Sequence, residues 1–512
     1  MRRTATVLGA LALWILVANG QDSRGGVYDV RTFGAKGDGK TLDTASINKA
    51  IDAAAAAGGG TVRFSAGSYP AFSIHLKSNI ALYLDQGATI VAADPMADHG
   101  TYDAPEPNPW DKYQDFGHSH FHNSLIWGEG LVNVSIIGPG MIWGKGLVRS
   151  NTVPDGGGNK SISLKLSRNV LIRDVSILHG GHFAILATGV DNFTVDNIKV
   201  DTNRDGIDVN SSRNVRISNV SINSPYDDGI CLKSDYALGF ARATENVTIT
   251  NSQVSGYDEG SFLDGTYKRT DPKTYSKGRT TGRVKFGTES NGGFKNITIS
   301  NVVFDYSRGL ALEEVDGGIF EDVTINNITM RDIVNPPIFI RLGNRARGPK
   351  ETTPVGSIRR LSISNVIVYN ADAQYGSIIS GIPGHPIEDL KLNNIQILYK
   401  GGGTSAQAQL EPPEEEAKYP EPDMFGDIPA YGFFVRHVEG LEMNNVEVRY
   451  SNDDVRPAFV LDDVRNSIFR FVKALHGRNV PTFSLRDVED FSTHQSSVPD
   501  TKLEGLKGKK TL

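Results

Sequence analysis

Apolar and polar residues alternate in short runs that return along most of the chain. The recurring phrase is Asn, apolar, polar, apolar, polar, Asn or Asp, apolar, polar, apolar. It stands at Asn133-Val134-Ser135-Ile136, Asn169-Val170-Leu171-Ile172, Asn192-Phe193-Thr194-Val195 and Asn214-Val215-Arg216-Ile217. It returns at Asn246-Val247-Thr248-Ile249, Asn296-Ile297-Thr298-Ile299 and Asp322-Val323-Thr324-Ile325. Weaker copies follow at Leu361, Leu390 and Leu441. Such alternation predicts strands with one buried face. The tightest spacings are 23 (169 to 192), 22 (192 to 214) and 26 (296 to 322) residues. A period of that length predicts a solenoid. Strands without intervening helical patterns favour a parallel β-helix over leucine-rich repeats. One helix is predicted, over Leu42 to Ala57, with Asp43 or Thr44 as its cap and Ile47, Ala50, Ile51 and Ala54 on one face. It would cover the first coil, since a solenoid needs capped ends.

An Asn at a fixed place in each coil can form a hydrogen-bonded ladder at a turn. Asn246 and Asn296 also stand in glycosylation sequons, and the repeat accounts for them without a glycan. Two stretches break the repeat, 256–282 and 401–429. The repeat resumes after each, so both read as loops, and either could close one end of a cleft. The expected organisation is a signal segment at 1–20, one β-helix domain over 21–490, and a frayed tail over 491–512.

Composition narrows the classes. The chain has 512 residues, 55 of them glycine, and a net charge of −6. That balance argues against nucleic-acid binding, and the glycine content suits a turn-rich β protein. Cys231 is the single cysteine, so there is no disulfide framework and no cysteine zinc site. Arg2-Arg3, the apolar run Val7–Val17 and Ala18-Asn19-Gly20 read as a secretory signal, which would leave Gln21 as the mature end. A secreted or periplasmic monomer is expected, with no cofactor and no metal.

The acidic residues between 203 and 235 are the candidate chemistry. Asp205 and Asp228 lie 23 residues apart (205 to 228), about one coil. Neighbouring coils stack roughly 4.8 Å apart. Asp205, Asp227 and Asp228 could therefore crowd one open face, as acid/base hydrolysis of a glycosidic bond needs. A single Asp is more often a turn residue, and Asp208 and Asp235 fit that role. His118, His120 and His122 alternate as strand neighbours would. His179 and His182 precede the acidic coils and could line a cleft. Trp110, Tyr226 and Tyr267 are candidates for stacking on sugars, whereas Trp127 and Trp143 are expected inside.

From about Val27 to Arg449 the chain resembles glycoside hydrolase family 28, the polygalacturonase or pectinase family. The resemblance rests on Phe33-Gly34-Ala35-Lys36-Gly37-Asp38-Gly39, Gly138-Pro139-Gly140-Met141-Ile142-Trp143-Gly144, Asn203-Arg204-Asp205-Gly206 and Asp227-Asp228, in that order. It implies an all-β, right-handed parallel β-helix and an inverting hydrolase of pectic saccharides. Asp227 would be the general acid, and Asp205 and Asp228 would position and deprotonate the water, across a gap of roughly 6.5–9.5 Å. The family's Gly-His-Gly has no counterpart, because Gly282-Arg283-Val284-Lys285 carries no His. Its Arg-Ile-Lys, which holds a galacturonate carboxylate, falls on Ala311-Leu312-Glu313. Rhamnogalacturonan or branched pectic oligosaccharides are therefore expected over plain polygalacturonan. Asn203, Arg204, Lys233, Arg283, Lys285, Glu313 and Arg341 are the expected substrate-binding residues, with Arg345 and Arg347 in the same basic loop. Two other readings remain, a polysaccharide lyase on the same fold and a non-catalytic carbohydrate-binding β-helix.

Overall fold

A computed structural model describes residues 26–150, 152–269 and 280–512. The expected signal segment lies outside the described residues, as does part of the 256–282 loop. The alternating runs form strands, and each strand pairs in parallel with its counterpart one coil away. Asn192's strand, Asp191–Asp196, lies between Arg168–Arg173 and Arg213–Ser218. The result is a right-handed parallel β-helix. Its interior is one continuous stack of Ile, Val, Leu and Phe. Aromatic rings pile along it, with Phe433 and Phe459 5.8 Å apart and Phe459 and Phe483 5.0 Å apart.

The capping helix spans Thr44–Ala56 and buries Ile47, Ala50, Ile51 and Ala54. Asp43 occupies the cap position but makes no side-chain bond to the helix. Its carboxylate accepts from the amides of Lys36 (2.7 Å) and Gly37 (2.9 Å) and ties the entry turn instead.

The asparagine ladder is present. The amide nitrogen of each residue donates to the preceding Oδ1 through Asn133, Asn169, Asn192, Asn214, Asn246 and Asn296, at 2.7–3.2 Å. All six have φ between 52° and 57°. Asn tolerates this left-handed conformation better than most residues, so one residue type serves both turn and ladder. The amides of the sequon residues Asn246 and Asn296 are taken up in this way.

Three expectations need correction. Residues 501–511 are not a frayed tail. They form a strand antiparallel to Phe483–His494, so the folded body continues past 490. Trp127 and Trp143 point outward, because Ile126 and Ile142 take the inward positions. Trp127 donates to Asp103 (2.8 Å) and stacks on His122. The His118–His122 stretch is not a strand, since Phe116–Ser119 makes a helical turn.

Candidate active site

One face of the solenoid is a sheet of successive short strands, among them Phe183–Thr188, Asp205–Asn210, Ile230–Lys233, Val284–Phe286, Leu310–Glu314 and Ile338–Leu342. Ile207, Ile230, Val284 and Leu310 face the core. Asp208, Cys231, Lys285 and Ala311 form a row on the outer face, in register. Asp205 opens one strand, and Asp227-Asp228 lie in the turn before the next. Gly206 permits the two coils to meet there. A Cβ at Gly206 would lie 2.4 Å from the carbonyl oxygen of Gly229.

The structure brings Asp205, Asp227 and Asp228 together. One oxygen from each lies within 4.8 Å of the others. That is closer than the 6.5–9.5 Å gap expected from the sequence. Two carboxylate oxygens at such a spacing can both accept from one water at ordinary hydrogen-bond length. The cluster is not on an open surface. The side chains of Asp205 and Asp228 are 6% and 2% exposed, and Asp227 is 26% exposed. Asp227 therefore stands at the mouth of a pit floored by the other two.

Charges around the trio divide its protonation. Burial pushes the Asp205 carboxyl well above the usual range, and Asp227 and Asp208 add to the rise. Burial raises Asp227 more than its ion pair with Arg204 lowers it. Burial would also raise Asp228, but Lys285 and Arg283 outweigh it and hold this carboxyl below the usual range. Arg283 Nε lies 2.7 Å from Asp228 and Lys285 Nζ 3.5 Å from it. His182 sits 4.0 Å from Asp205 and is held neutral by burial, with Arg204 and His118 adding to the effect. The surroundings thus favour the charged form at Asp228 and the protonated form at Asp205 and Asp227.

Other expected binding residues are placed differently. Asn203 and Arg204 stay half-exposed at the rim. Lys233 is buried against Glu289 (3.1 Å). Glu313 is fully buried beside Lys285 (3.5 Å), and burial pushes it up to about 7. Arg341 is also fully buried. It donates to Ser380 Oγ, the Gly381 carbonyl and the Glu414 carbonyl, beneath the Phe425 ring. Both stand at outward-facing positions of their strands, and the 401–429 loop reaches over Arg341 through the Glu414 carbonyl. Arg345 pairs with Asp316, and Arg347 with Glu289 (2.9 Å) and Asp115 (3.3 Å). Both hold structure rather than lining a groove. His179 pairs with Glu259 (2.8 Å) outside the trio.

Sequence reasoning assigned Asp208 to a turn, and the structure corrects this. Asp208 is buried within a strand, and His118 Nε2 lies 3.2 Å from it. Asp235 does keep a turn role, accepting from the amide of Ala237. The residues that sequence reasoning missed are Arg308, Tyr419 and Glu421. Glu421 reaches the cluster from the 401–429 loop, 2.6 Å from Arg283 and 2.9 Å from Arg308. Its one sequence signal is its setting between Pro420 and Pro422, which stiffen the backbone within an acidic loop.

The fold and its sunken carboxylate cluster can be set beside known proteins. Residues 110–260 match the model of glycosyl hydrolases family 28, and residues 27–112 match that of rhamnogalacturonase A/epimerase, pectate lyase-like. An exo-poly-alpha-D-galacturonosidase of Dickeya chrysanthemi is 30% identical over 217 residues, which is 40% of this chain and 33% of that protein. An endo-polygalacturonase of Pectobacterium carotovorum subsp. carotovorum is 26% identical over 355 residues, 62% of this chain and 84% of that protein. The fold matches the family 28 exopolygalacturonase of Yersinia enterocolitica with a TM-score of 0.60 at 17% identity, covering 94% of this chain and 80% of that one. The chain is thus similar to glycosyl hydrolases family 28 over residues 110–260, and to polygalacturonases over longer stretches at lower identity.

Proposed function

We propose that the protein is a secreted glycosidase that hydrolyses pectic saccharides by a single displacement, inverting as the family resemblance implies, although the trio is spaced more closely than the usual inverting gap. The observation that carries this reading is the convergence of Asp205, Asp227 and Asp228, one oxygen of each within 4.8 Å of the others and Asp227 the most exposed of the three. Asp227, raised and open to the pit mouth, protonates the leaving glycosidic oxygen. Asp228, held ionised, removes a proton from a water shared with Asp205. The bond from C1 to the leaving oxygen breaks as the water oxygen bonds to C1; the water's second proton stays on the new C1 hydroxyl, and the proton taken by Asp228 returns through solvent to Asp227. Ala311 and Glu313, at the places where the family carries Arg and Lys, favour rhamnogalacturonan-type or branched material over unbranched polygalacturonan.

A lyase reading would need a free basic side chain. Burial lowers Lys285, but Asp228 and Glu313 outweigh it and keep the ammonium charged. That favours hydrolysis. The test is to incubate purified protein with polygalacturonan, rhamnogalacturonan and branched pectic oligosaccharides, reading products by mass and by proton NMR. New reducing ends without ultraviolet absorbance, first appearing as the inverted anomer, are expected. A product with a new double bond would replace this reading by the lyase, and retained configuration would overturn the displacement. Fast hydrolysis of plain polygalacturonan would overturn the substrate choice. Terminal sequencing of exported protein should begin at Gln21.

A further inference from the structure

Three buried cations adjoin the trio on its C-terminal side. They are Arg283, Lys285 and Arg308, each at most 5% exposed. Three carboxylates face them. Asp228 and Glu313 come from the solenoid itself, at 2.7 Å from Arg283 and 3.5 Å from Lys285. The third is Glu421, which arrives from a loop more than a hundred residues further along the chain. Its two oxygens are divided between Arg283 (2.6 Å) and Arg308 (2.9 Å), with Lys285 at 3.9 Å from the first. A bidentate anion between two guanidinium groups is the arrangement in which arginines hold a carboxylate ligand. The Tyr419 ring lies 5.5 Å from Lys285, and 5.7 Å from a further cation, Arg345.

The loop that delivers Glu421 is not a loose flap. Met424, Phe425 and Ile428 pack with Ala311, Phe339, Ile378 and Phe434 in a core of their own. Arg436 donates to the carbonyls of Pro412 and Pro413, and Arg341 to that of Glu414. Glu421 is thus fixed from both sides. Arg283 bridges it to Asp228, so a sugar resting on Asp228 lies one guanidinium away from it.

We infer that Glu421 is a specificity-determining residue, a built-in carboxylate that fills the cationic subsite beside the trio and selects a sugar without a carboxylate there. This rests on the saccharide-hydrolase reading above and adds the residue that decides between neutral and acidic sugars. Removing the Glu421 charge leaves the three cations one counter-charge short, and a uronate carboxylate can supply it.

The experiment compares trigalacturonate with its carboxyl-reduced counterpart, which keeps the linkage and loses the charge. Binding is measured by calorimetry to wild type, Glu421→Gln and Glu421→Ala, at low and high salt. Glu421→Gln keeps the shape and one acceptor oxygen but loses the charge, and Glu421→Ala also makes room. The ratio of affinities, acid over reduced, should rise by on the order of tenfold in one or both variants. The gain should shrink with added salt. An unchanged ratio in folded Glu421→Gln and Glu421→Ala overturns the inference, as does binding of neither probe to any of the three proteins. A shifted ratio in a protein that turns over no pectic fragment supports this inference and removes the hydrolase reading alone.

Discussion

The outer face of the site sheet carries one row of side chains in unbroken register. It reads Asp208, Cys231, Lys285, Ala311, Phe339, Ile378, Phe434 and Val460. The first three serve a charged pit. From Ala311 onward the row is apolar and the 401–432 segment covers it. Backbone geometry is the same in both halves. The difference therefore lies in the covering loop, whose Met424, Phe425 and Ile428 pack on the row from Ala311 onward.

The comparison breaks first at the trio. Asp227→Asn should lower turnover on the responding substrate by at least about a hundredfold, and Asp205→Asn comparably, measured as kcat. Near-full activity in Asp227→Asn would remove the charged half from the chemistry. The same substitution at Asp228 carries a second effect. It leaves Arg283 and Lys285 one counter-charge short, with Glu421 and Glu313 still beside them, and should cost about 1–3 kcal/mol in denaturant unfolding. Neutralising Asp205, whose carboxyl already favours its proton, should leave stability nearly unchanged.

The apolar half is tested at Phe425, which is 2% exposed. Phe425→Ala should cost about 3–5 kcal/mol and unseat the loop. The groove should then accept oligosaccharides that extend past Ala311, seen as a shift in product length. Loss of stability without such a shift would show that the loop stays seated.

Glu314 gives a pH test. It occupies the inward position opposite Leu342, and burial pushes it up to about 8. In the unfolded chain it ionises near 4.3. Between those values the folded form holds a proton that the unfolded form has lost. Stability from this group is therefore present at low pH and falls as pH rises towards 8. Glu314→Gln should gain on wild type in melting temperature between pH 5 and pH 8. Asp228 has the opposite sign, since its carboxyl is depressed. Its contribution is full above its unfolded value and is lost as pH falls through the folded one. The smallest effect lies outside both halves. Asn192→Ala should cost about 1–2 kcal/mol through its left-handed φ and the lost ladder bond. Asn192→Gly should recover part of that.

Much of the fold was legible because it is local and periodic. The ladder at Asn169, Asn192 and Asn214 repeats within one coil, and alternation assigns the inward positions. The trio was legible for the same reason, since Asp205 and Asp228 are one coil apart. Contacts that cross many coils leave no period. Glu421 meets Arg283 across 138 residues and His118 meets Asp208 across 90. Nothing near Arg341 or Glu313 signals that a distant loop will bury them. The Asp208 assignment failed likewise, because its partner comes from a segment that folds over the sheet.

The final strand, Thr501–Thr511, has a consequence for association between molecules. A stack of parallel coils ends in a row of unpaired amides and carbonyls, a template for another chain. Here the chain turns back and fills that row itself, in the antiparallel sense. The strand that now forms the rim carries Lys502, Lys507, Lys509 and Lys510. A second molecule adding to this rim would meet a lysine-rich edge, part of whose charge is paired with Glu411 and Glu489. Removing residues 501–512 would present Phe483–His494 bare, and end-to-end growth into filaments is the expected fate of such a truncation.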